Sequence, residues 1–144
     1  MPHVGEAFAK QYVFSHSGIA DFASRCEDGN PLHFDERFAA NSRFGGIIAS
    51  GPHASAVHMA LLATHFAPRH DVVGLEFSVR FVKAIPANTT ATMSWLVVDM
   101  QHSPKLDGDV LSLEGKIEDA GGVTYIVDHA RIAVWPKRNA ADKA

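Results

Sequence analysis

Asp28 and His33 stand five residues apart in "EDGNPLHFDERFAA", residues 27–40, with Gly29, Asn30 and Pro31 between them. On a straight helix that step would send the two side chains to different faces. Across a turn they can converge on one spot. A carboxylate beside an imidazole can hold a water molecule and take its proton, because the imidazole's unperturbed pKa lies at about 6.5. The same residues also suit a plainer role, in which Asp28 closes an Asx turn and His33 packs at its edge. Spacing alone leaves both readings open.

A second place for chemistry is "IIASGPHAS", residues 47–55. The first backbone N–H groups of a helix have no partner within it. Together with the positive end of the helix dipole they can stabilise a carbonyl oxygen that gains negative charge. Gly51 lets a ligand approach that backbone closely. Every helix has an N-terminus, so this feature by itself specifies little.

Several elements must position these residues. A first strand is expected from Ala9 to Phe14. In "SHSGIADFASRCEDGN", Ile19, Phe22, Ala23 and Cys26 repeat at helical spacing and define one apolar face, with Ser17 as its N-cap. On that face Cys26 reads as core rather than nucleophile. Gly29 and Pro31 end the helix, since Pro cannot continue it. A short helix across "DERFAAN" follows, capped by Asp35. The main helix is expected from Pro52 to His65, with Ser50 or Gly51 as its cap. Its apolar residues, from Ala54 through Ala63, go round most of the circumference, which places it in the middle of the molecule.

The second half changes period. Leu75, Phe77, Val79 and Phe81 alternate with polar residues, as in a half-buried strand. "TTATMSWLVVDM", "DVLSLEGKIED" and "VTYIVDHARIAVW" continue the pattern, separated by the turn-rich "QHSPKLDG" and "AGG". The order implies an α+β fold, one antiparallel sheet wrapped around one apolar helix. A single domain over 1–136 is expected, followed by a tail over 137–144.

Composition excludes several classes of function. The 144 residues are 47% apolar and 20% charged, which is globular rather than disordered. A net charge of -3 without a basic run argues against nucleic acid as a partner. Phosphate on a ligand would have to be met locally, for example by Arg80 and Lys83, although solvent-facing strand charges are common. Cys26 is the only cysteine, so no intrachain disulfide can form, and a reducing cytoplasm is the expected location. "MPHVGEAFAKQY" lacks the apolar centre of a signal peptide. The longest apolar stretch, residues 45–67, is broken by three His and a Pro, so no membrane span is expected.

The block Asp28, Asn30, Pro31, His33, Asp35, Phe38, Ala39, followed by Ile47, Ile48 and Gly51, resembles the MaoC-like, or R-specific, enoyl-CoA hydratases. That family carries D-x-N-P-x-H-x-D and then an apolar segment ending in Gly at the head of a central helix. "GLEFSVRFVKAIPANTTATM" is similar to its strand after that helix. The similarity runs from about Ser15 to Trp135, and the first block is its specific part. The resemblance implies a hot-dog fold, a homodimer, and an acyl-CoA or acyl-carrier-protein thioester as substrate. It implies Asp28 and His33 as the catalytic pair, adding water across the trans-2 double bond of an enoyl thioester, with no further cofactor. The N–H of Gly51 would hold the thioester oxygen, and Asn30, Ser50, Pro52 and His53 would lie at the substrate. Ser50 stands where the family usually has His, and Pro52 and His53 replace apolar residues, which points to an altered acyl pocket.

Other constellations fall away. Nine His invite a metal, yet His53 and His58 lie on different faces and there is no H-E-x-x-H. No metal site is expected. His58 and His65, sharing a face, suit a polar seam or an interface. "GPHAS" is not a nucleophile elbow, and "FGGII" lacks the βαβ setting of a dinucleotide site. A hot-dog thioesterase and a non-catalytic acyl-CoA-binding subunit remain as alternatives.

Overall fold

Alternating sequence builds five strands, β1 Ala7–Phe14, β2 His70–Phe81, β3 Thr89–Ser103, β4 Gly108–Asp119 and β5 Thr124–Pro136. In the computed structural model they form one antiparallel sheet in the order β1-β3-β4-β5-β2. The structure describes residues 1–139 and 141; of the expected tail, 140 and 142–144 lie outside the described residues. Among the described residues three helices accompany the sheet: α1 His16–Arg25, α2 Glu36–Ala40 and α3 Gly51–Phe66, with a 3-10 turn at Pro31–His33. The α+β arrangement read from the pattern is therefore the observed one, with the sheet curled around α3.

One face of the sheet makes the core. Met93, Trp95 and Val97 of β3, Leu113 and Ile117 of β4, and Ile126 of β5 are all buried. α3 sits on that face and buries Ala54, His58, Leu61, Leu62 and Phe66. Burying such side chains contributes roughly 1.5–3 kcal/mol each relative to leaving them exposed. Gly115 permits the close fit, because a Cβ there would stand 2.4 Å from Asp128 Oδ1 and 2.6 Å from the Trp95 ring.

Four sequence expectations change. Ser15, not Ser17, caps α1: its hydroxyl accepts from the Gly18 N–H at 3.1 Å, while Ser17 already lies within the helix. Cys26 is exposed rather than core, because α1 ends at Arg25 and Cys26, as C-cap, leaves the apolar stripe. α3 is not covered on all sides, since Met59, Ala60 and Ala63 remain exposed beyond the reach of the sheet. Of the four alternating apolar residues on β2, Phe77 and Val79 are partly buried, while Leu75 and Phe81 are 43% and 57% exposed. β2 is an edge strand, and a register shift between Gly74 and Glu76 breaks its alternation.

Candidate active site

The segment between α1 and α3 carries the site, and its turns use up most of its own polar groups. Glu27 takes a φ of 59° after the helix end, and the Asp28 N–H donates to the Ala23 carbonyl at 2.8 Å. Asp28 Oδ1 then accepts from the Asn30 N–H at 3.0 Å, and Asn30 Oδ1 accepts from the Leu32 N–H at 3.1 Å. These two Asx turns reverse the chain and start the 3-10 turn that ends in His33. The plain role of Asp28 is therefore real, but it occupies only one carboxylate oxygen.

The other oxygen faces the histidine. Asp28 Oδ2 lies 3.6 Å from His33 Nε2, with the His33 side chain only 7% exposed and that of Asp28 24%. His33 Nδ1 is 2.8 Å from the carbonyl of Ile48. A carbonyl can only accept, so Nδ1 carries the proton and donates. In the neutral ring Nε2 is then a lone pair, pointed toward a carboxylate oxygen at a distance too long for a direct hydrogen bond. Two acceptors facing one spot suit a water molecule donating one O–H to each, with its oxygen lone pair turned outward. The Ile48 carbonyl that fixes this tautomer has no sequence signature.

The start of α3 supplies the other half. Ser50 caps it, accepting from the His53 N–H at 3.1 Å through its hydroxyl, while its carbonyl accepts from the Ala54 N–H. Pro52 has no N–H. Among the first residues of α3 this leaves the N–H of Gly51 as the unspent donor. His33, Asn30, Ser50 and Gly51 line one open cleft of about 400 Å³, together with Phe81 and Lys83. A Cβ on Gly51 would come within 2.9 Å of the Phe81 ring, so glycine keeps this end of the cleft narrow but passable. Backbone bonds hold the two halves together: the Ile48 N–H donates to the Leu32 carbonyl, and the Ala49 N–H to that of Ile85.

Pro52 and His53 sit elsewhere. Pro52 is exposed and does not line this cleft. His53 is 2% exposed and lies behind the cleft, stacked on Phe22 with ring centres 4.6 Å apart. Its Nε2 meets the Tyr12 hydroxyl at 2.8 Å. Burial, and then the nearby charge of His33, hold the His53 pKa below its ordinary 6.5. The partnership with Tyr12 joins residues 41 positions apart, and sequence reasoning missed it. Lys83 reaches the cleft wall, while Arg80 is exposed on β2. Among the described residues no group of three or more His, Cys, Asp or Glu is arranged to hold a metal ion. No helix among them is long and apolar enough to cross a membrane.

A curled antiparallel sheet around one central helix, with an acid and an imidazole facing each other near that helix's N-terminus, defines a hot-dog domain. The family description "MaoC like domain" matches residues 3–114, and the chain belongs to that family. Solved structures share the fold. The (R)-hydratase from A. caviae involved in PHA biosynthesis is 25% identical, with a TM-score of 0.80 over 91% of this chain and 96% of that one. R-hydratase PhaJ1 from Pseudomonas aeruginosa is 21% identical, with a TM-score of 0.82 over 94% and 84%. The MaoC-like dehydratase from Rhodospirillum rubrum is 23% identical, with a TM-score of 0.81 over 96% of each chain. No protein with a curated description matches the sequence.

Proposed function

We propose that this protein is a hydro-lyase that adds water reversibly across the trans-2 double bond of an enoyl thioester, giving a 3-hydroxyacyl thioester of R configuration. The observation that carries this reading is the pair of acceptors, Asp28 Oδ2 and His33 Nε2, 3.6 Å apart, with His33 lining the same cleft as Gly51 and its free N–H. Water held between the two acceptors attacks the β-carbon, forming the C–O bond. Its proton passes to the acid–imidazole pair as the π electrons move onto the thioester oxygen. The Gly51 N–H meets that enolate-like oxygen, an interaction of a kind worth about 3 kcal/mol in other enzymes. The pair then returns a proton to the α-carbon, so that one water has been added and no other reactant is needed.

The carrier is coenzyme A or an acyl-carrier protein. Lys83 on the cleft wall offers a cation to its phosphates. The working form is a homodimer. Support for this comes from the open edge of β2, where Val73 and Leu75 stay 50% and 43% exposed beside Met59 of α3.

The test is to follow loss of conjugated absorbance of trans-2-enoyl-CoA substrates of several chain lengths, with a thiol reagent in parallel. Hydration without release of free CoA is expected. Asp28→Asn and His33→Gln are each expected to lower the rate roughly a hundred- to ten-thousand-fold with the fold intact. Release of free CoA would make the protein a thioesterase instead.

A further inference from the structure

His53 occupies a place that the proposed chemistry does not use. It is buried behind the cleft, where three elements meet. Phe22 of α1 lies flat against its ring at 4.6 Å and 8°. From β1, Phe14 and Tyr12 present edges at 5.4 and 5.8 Å, and the Tyr12 hydroxyl meets Nε2 at 2.8 Å. His53 itself belongs to the first turn of α3, two residues beyond Gly51, with its N–H tied to the Ser50 hydroxyl. Its Nδ1 is buried with no hydrogen-bond partner.

A phenyl ring could fill this space without leaving a buried nitrogen unpaired. Leaving a polar group buried and unsatisfied is destabilising by roughly 1–3 kcal/mol, so packing alone does not explain an imidazole here. What the imidazole adds is a directional bond to β1. Each element that meets at His53 leads to one part of the site. α1 runs from Phe22 through Ala23, whose carbonyl receives the Asp28 N–H. α3 begins at the Gly51 donor. Between them, His33 is anchored to Ile48, three residues before Gly51.

We propose that His53, locked by its hydrogen bond to Tyr12, is a positioning residue that sets the distance between the Asp28–His33 pair and the Gly51 N–H. The inference rests on the hydratase reading for its kinetic form. His53 does not touch substrate, since the cleft wall passes from Gly51 to Ala54 without it. Misplacing the oxyanion donor against the acid–imidazole pair is therefore expected to slow the chemical step and leave binding alone. Burial disfavours the charged ring, and of the titratable groups near it, Tyr12 lies on β1 and His33 on the 3-10 turn.

The test is a double-mutant cycle with His53→Phe and Tyr12→Phe, both of which keep the aromatic contacts and remove the hydrogen bond. Each single variant is expected to lower kcat for enoyl-CoA hydration roughly tenfold to a hundredfold, the scale of a small misplacement. KM should stay within about twofold, the thermal midpoint of His53→Phe should stay close to wild type while Tyr12→Phe, which strands the buried Nε2, lowers it, and the double variant should be no slower than the slower single one. A purely structural His53 would leave kcat of the Phe variant at the wild-type value, which would overturn the proposal, as would additive losses in the cycle. If the wild type hydrates no substrate, the hydratase reading fails and NMR of the same variants decides this one. Displaced His33 ring and Gly51 amide resonances in His53→Phe would sustain the positioning role; unmoved ones would end it.

Discussion

At the scale of single residues, Asp28 divides its labour between its two oxygens. One closes the turn that places His33, and the other faces His33 across the gap where water fits. His53 adds a pH dependence that belongs to stability rather than to catalysis. Its folded pKa lies below 6.5, chiefly because it is buried. Between that lowered value and 6.5 the unfolded chain binds more protons than the folded one, so stability rises with pH across this window. Acidification through the window therefore weakens the fold, and below the folded pKa the penalty is complete. Thermal midpoints measured in steps between pH 7.5 and 5 should fall more steeply for wild type than for His53→Phe. Parallel curves for the two proteins would show that His53 is not the group responsible.

At the scale of elements, α3 is held at both its start and its middle by polar contacts in an apolar setting. Ser50 is 1% exposed and satisfies the His53 N–H, so Ser50→Ala should destabilise the protein by about 1 kcal/mol, readable as a shift in the urea midpoint. A deeper tie is that of His58 to β5. His58 Nδ1 lies 2.6 Å from Asp128 Oδ2, Nε2 lies 3.0 Å from the Ser94 carbonyl, and both side chains are fully buried. Trp95 stacks on the ring at 4.2 Å and its indole N–H donates to the His58 carbonyl at 3.0 Å. Removing one member of a buried pair strands the other in the core, so Asp128→Ala should lose about 3–5 kcal/mol. A loss under 1 kcal/mol in urea unfolding would mean that water reaches His58 and repairs the gap. His65, two turns further along the same face of α3, pairs instead with Glu6 at 2.6 Å and stacks on Phe8, tying α3 to the start of β1. The expected seam of His58 and His65 is thus two separate anchors to different strands.

At the scale of the whole molecule, one group of exposed apolar residues, Val73 and Leu75 of β2 with Met59 of α3, lies along the edge of the sheet and the adjoining flank of α3. An open strand edge with unpaired backbone groups and apolar side chains invites pairing with another strand. If two copies join there, Leu75→Glu should convert a particle of about twice 15.6 kDa into one of single-chain mass by light scattering. A wild type that elutes as a single chain would remove the homodimer from the proposal.

How much of this was legible in the sequence follows from the range of the interactions involved. The two-residue period of the strands, the caps Asp35 and Ser50, and the helix break at Gly29 and Pro31 all depend on neighbours a few positions away. So does the convergence of Asp28 and His33, since a turn of five residues is a local matter. The burial of α3 also followed from its composition, although not the flank that stays open. Only the tertiary structure decided the tautomer of His33, which the Ile48 carbonyl sets from 15 residues away. It also decided the fates of Cys26, Leu75 and Phe81, which have apolar spacing but fall at a helix end or on a sheet edge. The pairings His53 with Tyr12 and His58 with Asp128 span 41 and 70 positions. Such partners leave no periodic trace along the chain, because a hydrogen bond between distant elements depends on where the fold brings two side chains and not on what stands beside either one.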